Sequence, residues 1–394
     1  MKVIIHQGAS TIGGNCVEVQ TNNGSILIDA GIPVKSEPRL NKEEFNKIAS
    51  RVKAIFISHP HPDHYEMLKY LDKDIPVFMS RGCKKIISIA HKFGQTDYNP
   101  IAAQLIDRKA VKIPLNTESY LSIKPITVDH SGFDSKAFLI TDGKTNLLYS
   151  GDIRDHGRKK YLTENLLDKL PGTIDYLILE GTLLSRNYRG IQSEQEVEQK
   201  LSKVFEQSES FSIIAFSSQN IDRLVSVYKA CLKTHKTLVV DPYTAYILNE
   251  LKDISENLPQ YSWNNMGILF ASNSYTQNIN KETLYQFAGA KVSKKMIRNN
   301  PGKYVLKSNR YVEKMIQKEN LLDTATLIYS QWKGYAEGIW LNRTVSHIHC
   351  SGHAQTETLE NLIKKVNPST AIPIHTENTA AFEKLVDGKM KILN

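Results

Sequence analysis

Cysteine is scarce in this chain. The four present, at positions 16, 83, 231 and 350 of 394, form no Cys-x-x-Cys pair. That spacing argues against a disulfide framework and a thiolate zinc site, and leaves buried free thiols as the ordinary reading. Long hydrophobic runs are missing too. No stretch approaches the roughly 18 apolar residues of a membrane-spanning helix, and Met1-Lys2-Val3-Ile4-Ile5-His6 lacks a signal-peptide layout. A cytoplasmic protein with no membrane partner is therefore expected. Internal repeats and low-complexity tracts are absent as well. Acidic residues are outnumbered, with 41 Asp and Glu against 50 Lys and Arg, for a net charge of +9. This favours an anionic partner, although charge balance alone does not single out nucleic acid.

The length allows one large α/β domain or two domains with sizeable cores. The first part reads as strands broken by Gly-rich turns: 3–5, 16–20, 25–28 and 52–58. Helical periodicity follows at 66–71 and 84–91, then strands at 126–128, 137–141, 147–150 and 176–180. Consecutive strand runs punctuated by helices suggest two sheets with helices packed outside. After the polar stretch from Leu184 to Gln192 the pattern changes. Ser193, with Glu196 three residues on, opens a helix over 194–205 as a capping box. Strand and helix then alternate (212–216, 221–232, 237–240, 244–251), the signature of a parallel α/β unit. Short strands at 345–348 and 371–374 return around a helix at 356–366. An α/β segment lying between two His-rich parts suggests an inserted domain.

What is abundant is histidine in one place. His59-Pro60-His61-Pro62-Asp63-His64 packs three imidazoles and a carboxylate into six residues, just past the apolar run 52–58. The prolines are expected to forbid helix and hold the segment extended, with His59 and His61 on one side by period-2 alternation. Asp63 and His64 then turn toward a neighbouring position. One ion needs only three protein ligands and an open position, so four close donors, with more downstream, point to two ions.

Further donors end apolar strands in Val128-Asp129-His130, Ser150-Gly151-Asp152, Ile372-Pro373-Ile374-His375 and Ile26-Leu27-Ile28-Asp29. With the histidine cluster these fragments resemble, in order, the motifs of the metallo-β-lactamase fold hydrolases. The resemblance implies that His59, His61 and His130 hold one ion, Asp63, His64 and His375 the other, and Asp152 bridges them. Asp29 would orient ligands without binding metal, although an Asp before Ala-Gly also makes an ordinary turn. Imidazole and carboxylate suit zinc, and less selectively manganese, so two Zn2+ ions follow from family habit, with Mn2+ as the alternative. Such ions can hold a hydroxide that is nucleophilic near neutral pH and neutralise charge on a phosphoryl oxygen.

Glu180, at the end of Leu177-Ile178-Leu179-Glu180, and His353, in His349-Cys350-Ser351-Gly352-His353-Ala354, flank the insert. Together with His375 they resemble the acid-His-His motifs of the β-CASP nucleases, and the latter segment resembles the ribonuclease J pattern. This implies that Asp63, Glu180 and His353 take part in the reaction. His353 would contact the scissile phosphate and assist leaving-group protonation, Glu180 would orient an imidazole, and Ser351 would bind phosphate. Ser217 and Ser218, between a strand and the helix N-terminus at Asn220-Ile221, offer a second place for phosphate, although Ser and Asn are also ordinary caps. Arg223 would add a phosphate contact. Lys291, Lys294, Lys295, Arg298, Lys303, Tyr304, Lys307, Arg310, Tyr311 and Lys314 interleave cations and aromatics as a strand-guiding channel would. Trp332, Tyr335 and Trp340 read as packing before stacking.

The expected fold is α/β: a metallo-β-lactamase αββα sandwich over 1–183 and 346–394, with an α/β β-CASP domain inserted over 184–345 as a lid. The expected function is metal-dependent hydrolysis of single-stranded RNA, with DNA second. The alternatives are a hydrolase of a small phosphodiester or ester, and a catalytically silent nucleic-acid-binding subunit. Only a short tail follows His375, so the resemblance is to a minimal ribonuclease J-like chain.

Overall fold

A computed structural model describes residues 1–34, 40–184, 186, 193–270, 279, 281–341, 343–386 and 391–392. Most of the polar stretch at 184–192 lies outside them. The chain divides into two compact units, one of 1–88, 96–188 and 352–394, the other of 89–95 and 189–351.

Two sheets build the first unit. One runs in the order Lys2–Gln7, Cys16–Thr21, Gly24–Ile28, Ile55–Ile57, Val77–Met79, Gln104–Leu105. Its first three strands are antiparallel and the rest join in parallel. The other runs Lys391–Ile392, Thr370–Ile374, Tyr176–Glu180, Asn146–Tyr149, Lys136–Thr141, Tyr120–Thr127, Val111–Pro114. Their facing sides are apolar by alternation. Val17, Val19, Ile26, Ile28 and Phe56 of the first meet Phe138, Ile140, Leu147, Tyr149 and Ile178 of the second in one buried core. Outside the first sheet, Phe45 and Ile48 of the helix Lys42–Ala49 pack on Leu27, Ile55 and Ile57. Outside the second, Leu359, Leu362 and Ile363 of the helix Thr356–Val366 pack on Leu177, Leu179 and Ala371. Helix, sheet, sheet and helix make the expected αββα sandwich.

The second unit holds a parallel sheet ordered Met266–Ile268, Thr237–Val240, Tyr304–Lys307, Ser212–Ala215, Thr326–Tyr329, Ser346–His347. Its helices start on side-chain caps: Ser193 accepts from the Glu196 N–H, Asn220 from Arg223 and Asp241 from Thr244. Among the described residues no helix is long and apolar enough to cross a membrane.

One local expectation fails. Pro62 does not hold its segment extended; it opens a helical turn, Pro62–Tyr65. Proline is excluded from a helix interior, but at the first helical position its missing N–H costs nothing. His61 before it stays extended, at φ −88° and ψ 141°.

Candidate metal centre

The donors leave the same kind of place in each sheet, the C-terminal end of a strand. Asp29 follows Gly24–Ile28, His59 follows Ile55–Ile57, His130 follows Tyr120–Thr127, Asp152 follows Asn146–Tyr149, and His375 follows Thr370–Ile374. The turn at Pro62–Tyr65 aims Asp63 and His64 inward and is pinned from outside: Gly14 and Asn15 N–H donate to the Asp63 carbonyl, and Ala30 N–H to that of His64. Gly31 lets this turn come close, because a Cβ there would collide with the Asp63 backbone.

These residues gather into overlapping groups. Ligating atoms of His59, His61, His130 and Asp152 lie within 4.8 Å of one another, as do those of Asp63, His64 and His375, and a third group of Asp152, His353 and His375 overlaps both. Asp152 faces both groups. Its Oδ2 is 3.6 Å from His59 Nε2 and 3.8 Å from His130 Nε2 on one side, 3.3 Å from His64 Nε2 and 3.7 Å from His375 Nε2 on the other. His61 Nδ1 sits 3.1 Å from His59 Nε2 and 3.2 Å from His130 Nε2.

The outer edges of the rings fix what the inner edges offer. His130 Nδ1 donates to the Gly352 carbonyl at 2.6 Å, His59 Nδ1 meets Ser58 Oγ at 3.0 Å, and His64 Nδ1 meets Asp29 Oδ2 at 2.7 Å. A ring that donates through Nδ1 while neutral presents a lone pair at Nε2. The Nε2 lone pairs of His59 and His130 therefore converge beside the Asp152 carboxylate in a buried space, and His64 Nε2 and Asp152 Oδ1 have no hydrogen-bond partner. Converging lone pairs and orphaned ligand atoms are what a divalent cation satisfies, so the residues fit a metal.

Asp29 is built to hold His64. It is fully buried at φ 57° and also accepts from Ser58 N–H at 2.7 Å, Ser58 Oγ at 2.8 Å and Tyr149 OH at 2.6 Å. This is more than a turn residue requires.

Electrostatics follow from this crowding. Burial and the neighbouring His64 and His130 push His59 well below the ordinary histidine range, and burial takes His61 down to about 4. Burial alone would raise Asp63, but His64 and His375 bring it down to about 2. Burial opposes protonation of His64, yet Asp152, Asp29 and Asp63 together hold it well above the usual value. The centre thus presents ionised carboxylates beside neutral His59 and His61.

His353 stands at the rim. Its Nδ1 lies 3.1 Å from Glu180 Oε2 and 3.6 Å from Asp152 Oδ2. Burial would lower its pKa, but the Glu180 and Asp152 carboxylates raise it. Glu180 is fully buried and also accepts from the Ile153 N–H at 2.9 Å. Thr182, which no sequence motif singles out, joins these groups: its Oγ1 is 2.6 Å from Glu180, 3.1 Å from His353 Nδ1 and 2.8 Å from His375 Nδ1. A hydroxyl two residues beyond a strand-end acid was its only signal.

In the second unit, Ser217 is exposed and its Oγ accepts from the Gln219 N–H. Ser218 is buried, 2.9 Å from Thr244 Oγ1, and Ser351 is buried. Arg223 does not face solvent. It is fully buried, paired with Glu194 at 2.9 Å and bonded to the Ser330 hydroxyl and the Cys350 carbonyl, so its guanidinium is committed to the interior of this unit. The basic stretch is divided too. Tyr304 is core, Lys307 is buried against Asp241, and Lys294 and Arg298 pair with Glu319. Trp340 packs on Tyr329 as expected.

Residues 25–206 match the β-lactamase superfamily domain, and residues 341–392 match the Zn-dependent metallo-hydrolase RNA specificity domain. Together with the four-layered fold, these matches give the chain a metallo-β-lactamase domain and an RNA specificity domain. In this combination it resembles the ribonuclease J and related proteins of the β-CASP group. It is 22% identical over 406 aligned residues to ribonuclease J of Helicobacter pylori, covering 94% of this chain and 55% of that one. A probable RNase MJ4 of Methanocaldococcus jannaschii is 26% identical over 198 residues, 46% of this chain and 45% of that protein. Transcription termination factor FttA of Methanothermobacter thermautotrophicus is 29% identical over 201 residues, 44% of this chain and 30% of its own. The chain spans about half the length of the first two. A crystal structure of a protein of unknown function from Enterococcus faecalis V583 shares the fold, with TM-score 0.76, 21% identity, and coverage of 100% and 97%.

Proposed function

We propose that this protein is a metal-dependent nuclease that hydrolyses phosphodiester bonds of single-stranded RNA. The observation that carries the proposal is the convergence of seven donors, His59, His61, Asp63, His64, His130, Asp152 and His375, with His353 held beside them on Glu180. RNA as substrate is supported by the names of the relatives and by the description of the domain matched at 341–392. In this reading the insert over 184–345 is the β-CASP domain.

His59, His61 and His130 would hold one divalent ion, Asp63, His64 and His375 a second, with Asp152 shared between them. Zinc is the proposed metal and manganese the alternative. When bound, such a pair supplies an activated water and neutralises charge on the phosphoryl oxygens. Asp29 keeps His64 in the orientation that points Nε2 inward. Glu180 fixes the Nδ1 edge of His353, so that the opposite edge, Nε2, donates a proton to the leaving oxygen. Ser217, Ser218 and Ser351, with His353, are the proposed phosphate contacts.

End-labelled RNA and DNA oligonucleotides carrying a 5′-phosphate or a 5′-hydroxyl, incubated with metal-loaded protein, test substrate class and the choice between exo and endo cutting together. Binding of the RNA is expected to fall steeply with salt, with a logarithmic slope of roughly 0.7 per phosphate held by a cation. Replacing Lys294, Lys295 and Arg298 together should flatten that slope by about the same amount for each phosphate that is no longer neutralised, with metal content unchanged. Affinity insensitive to salt and to these substitutions would favour a small phosphodiester or ester as substrate.

A further inference from the structure

Arg154 is among the largest fully buried side chains of the protein, and it belongs to no donor group. Its Nε lies 3.3 Å from Oδ1 of Asp129, itself 2% exposed. The backbone repeats the pairing, with Arg154 N–H donating to the Asp129 carbonyl at 2.8 Å. Asp129 immediately precedes His130, and Arg154 follows Asp152 by two residues. The strands that feed these two loops, Tyr120–Thr127 and Asn146–Tyr149, are not neighbours, because Lys136–Thr141 lies between them in the sheet. The sheet therefore joins the two loops through no ladder of its own, and the Asp129–Arg154 bridge spans the gap.

Other bonds of the pair reach outward. Asp129 Oδ2 accepts from the Gly157 N–H at 2.8 Å, and the Asp129 N–H donates to Thr163 Oγ1 at 3.0 Å. Gly157 sits so tightly on the pair that a Cβ there would collide with both Asp129 carboxylate oxygens and the Arg154 guanidinium. Burying two charges is costly, and an apolar pair of similar volume often gives as much stability. An ion pair clamped by a glycine at the root of two donor loops is explained better by placement than by stability.

We propose that Asp129 and Arg154, with Gly157 as their seat, are positioning residues that set the distance between the His130 and Asp152 donors. This rests on the metal centre proposed above. It places a determinant of metal affinity in residues that touch no ion.

The test is zinc affinity of the full-length protein, by competition with a chromogenic chelator, alongside thermal unfolding of the metal-free form. Gly157→Ala and Arg154→Lys are the variants; lysine keeps the charge but not the fork. Affinity is expected to fall by about 10- to 100-fold, the usual loss when a group that orients metal ligands is disturbed. The loss should persist at temperatures well below the unfolding transition of each variant. Lowered thermal stability with wild-type zinc affinity would overturn the proposal and leave the pair a structural one. Should Arg154→Lys fail to fold, Gly157→Ala gives the same decision, since it removes no group. A wild-type protein that takes up neither zinc nor manganese would instead overturn the metal centre itself, and this inference with it.

Discussion

Asp152→Ala is expected to abolish RNA cleavage and strip the protein of metal. Asp152 is 1% exposed, and its Oδ2 lies between 3.3 and 3.8 Å from the inner nitrogens of His59, His64, His130 and His375. It is the carboxylate that faces both donor groups. Without it, Asp63 is the one carboxylate left in the two groups, and no negative charge faces both of them. Metal content should fall from about two per chain to below one. Because a bound ion is worth several kcal/mol of transition-state stabilisation, and each 1.36 kcal/mol is tenfold, the rate should drop by at least about 10³. Elemental analysis of the purified variant, with a single-turnover assay on labelled RNA, reads both quantities. Two ions retained per chain would show that Asp152 is not shared.

His353→Ala is expected to do something different: the rate falls while the metal stays. His353 lies 3.1 Å from Glu180, and although its ring is also within reach of Asp152 and His375, the two sets of the proposed coordination are complete without it. General acid–base help of this kind is typically worth about 10² to 10⁴ in rate. The alanine variant also leaves the buried Glu180 carboxylate without one of its donors, so His353→Gln is the companion variant, retaining an N–H for Glu180 but no transferable proton. Both should cleave slowly with metal content unchanged. Recovery of activity in the glutamine variant would make the role of His353 structural, and equal loss of metal and rate would make it a ligand.

The αββα fold was legible because its strands announce themselves twice. Ile55–Ile57, Asn146–Tyr149 and Thr370–Ile374 are apolar runs, and each ends near a donor that serves nothing in a core. Local chemistry outweighed composition at Pro62, where the same residue that breaks a helix interior begins one. The second unit was harder to read. Tyr304–Lys307 lies in the middle of its sheet, yet the lysines around it made the stretch read as a solvated channel. Lys307 escapes that rule by reaching Asp241 at 3.5 Å. Thr326–Tyr329, a strand of four residues, was not read as a strand at all. Arg223 and Arg154 were illegible for a deeper reason. A buried arginine looks like a surface one until its acid, Glu194 or Asp129, is seen beside it, and those partners lie 29 and 25 residues away. In the metal centre the donors could be named from spacing and resemblance. The groups that aim them, Ser58, Tyr149 and Thr182, carry no pattern of their own.

The central claim is that this chain cleaves RNA through a two-ion centre. Titrating metal-free protein with zinc while following cleavage of a 5′-phosphorylated, end-labelled RNA tests it most directly. The account predicts no cleavage in the stripped protein and a rate that rises to a plateau near two ions per chain. Cleavage undiminished after metal removal, or none at any loading, would contradict it.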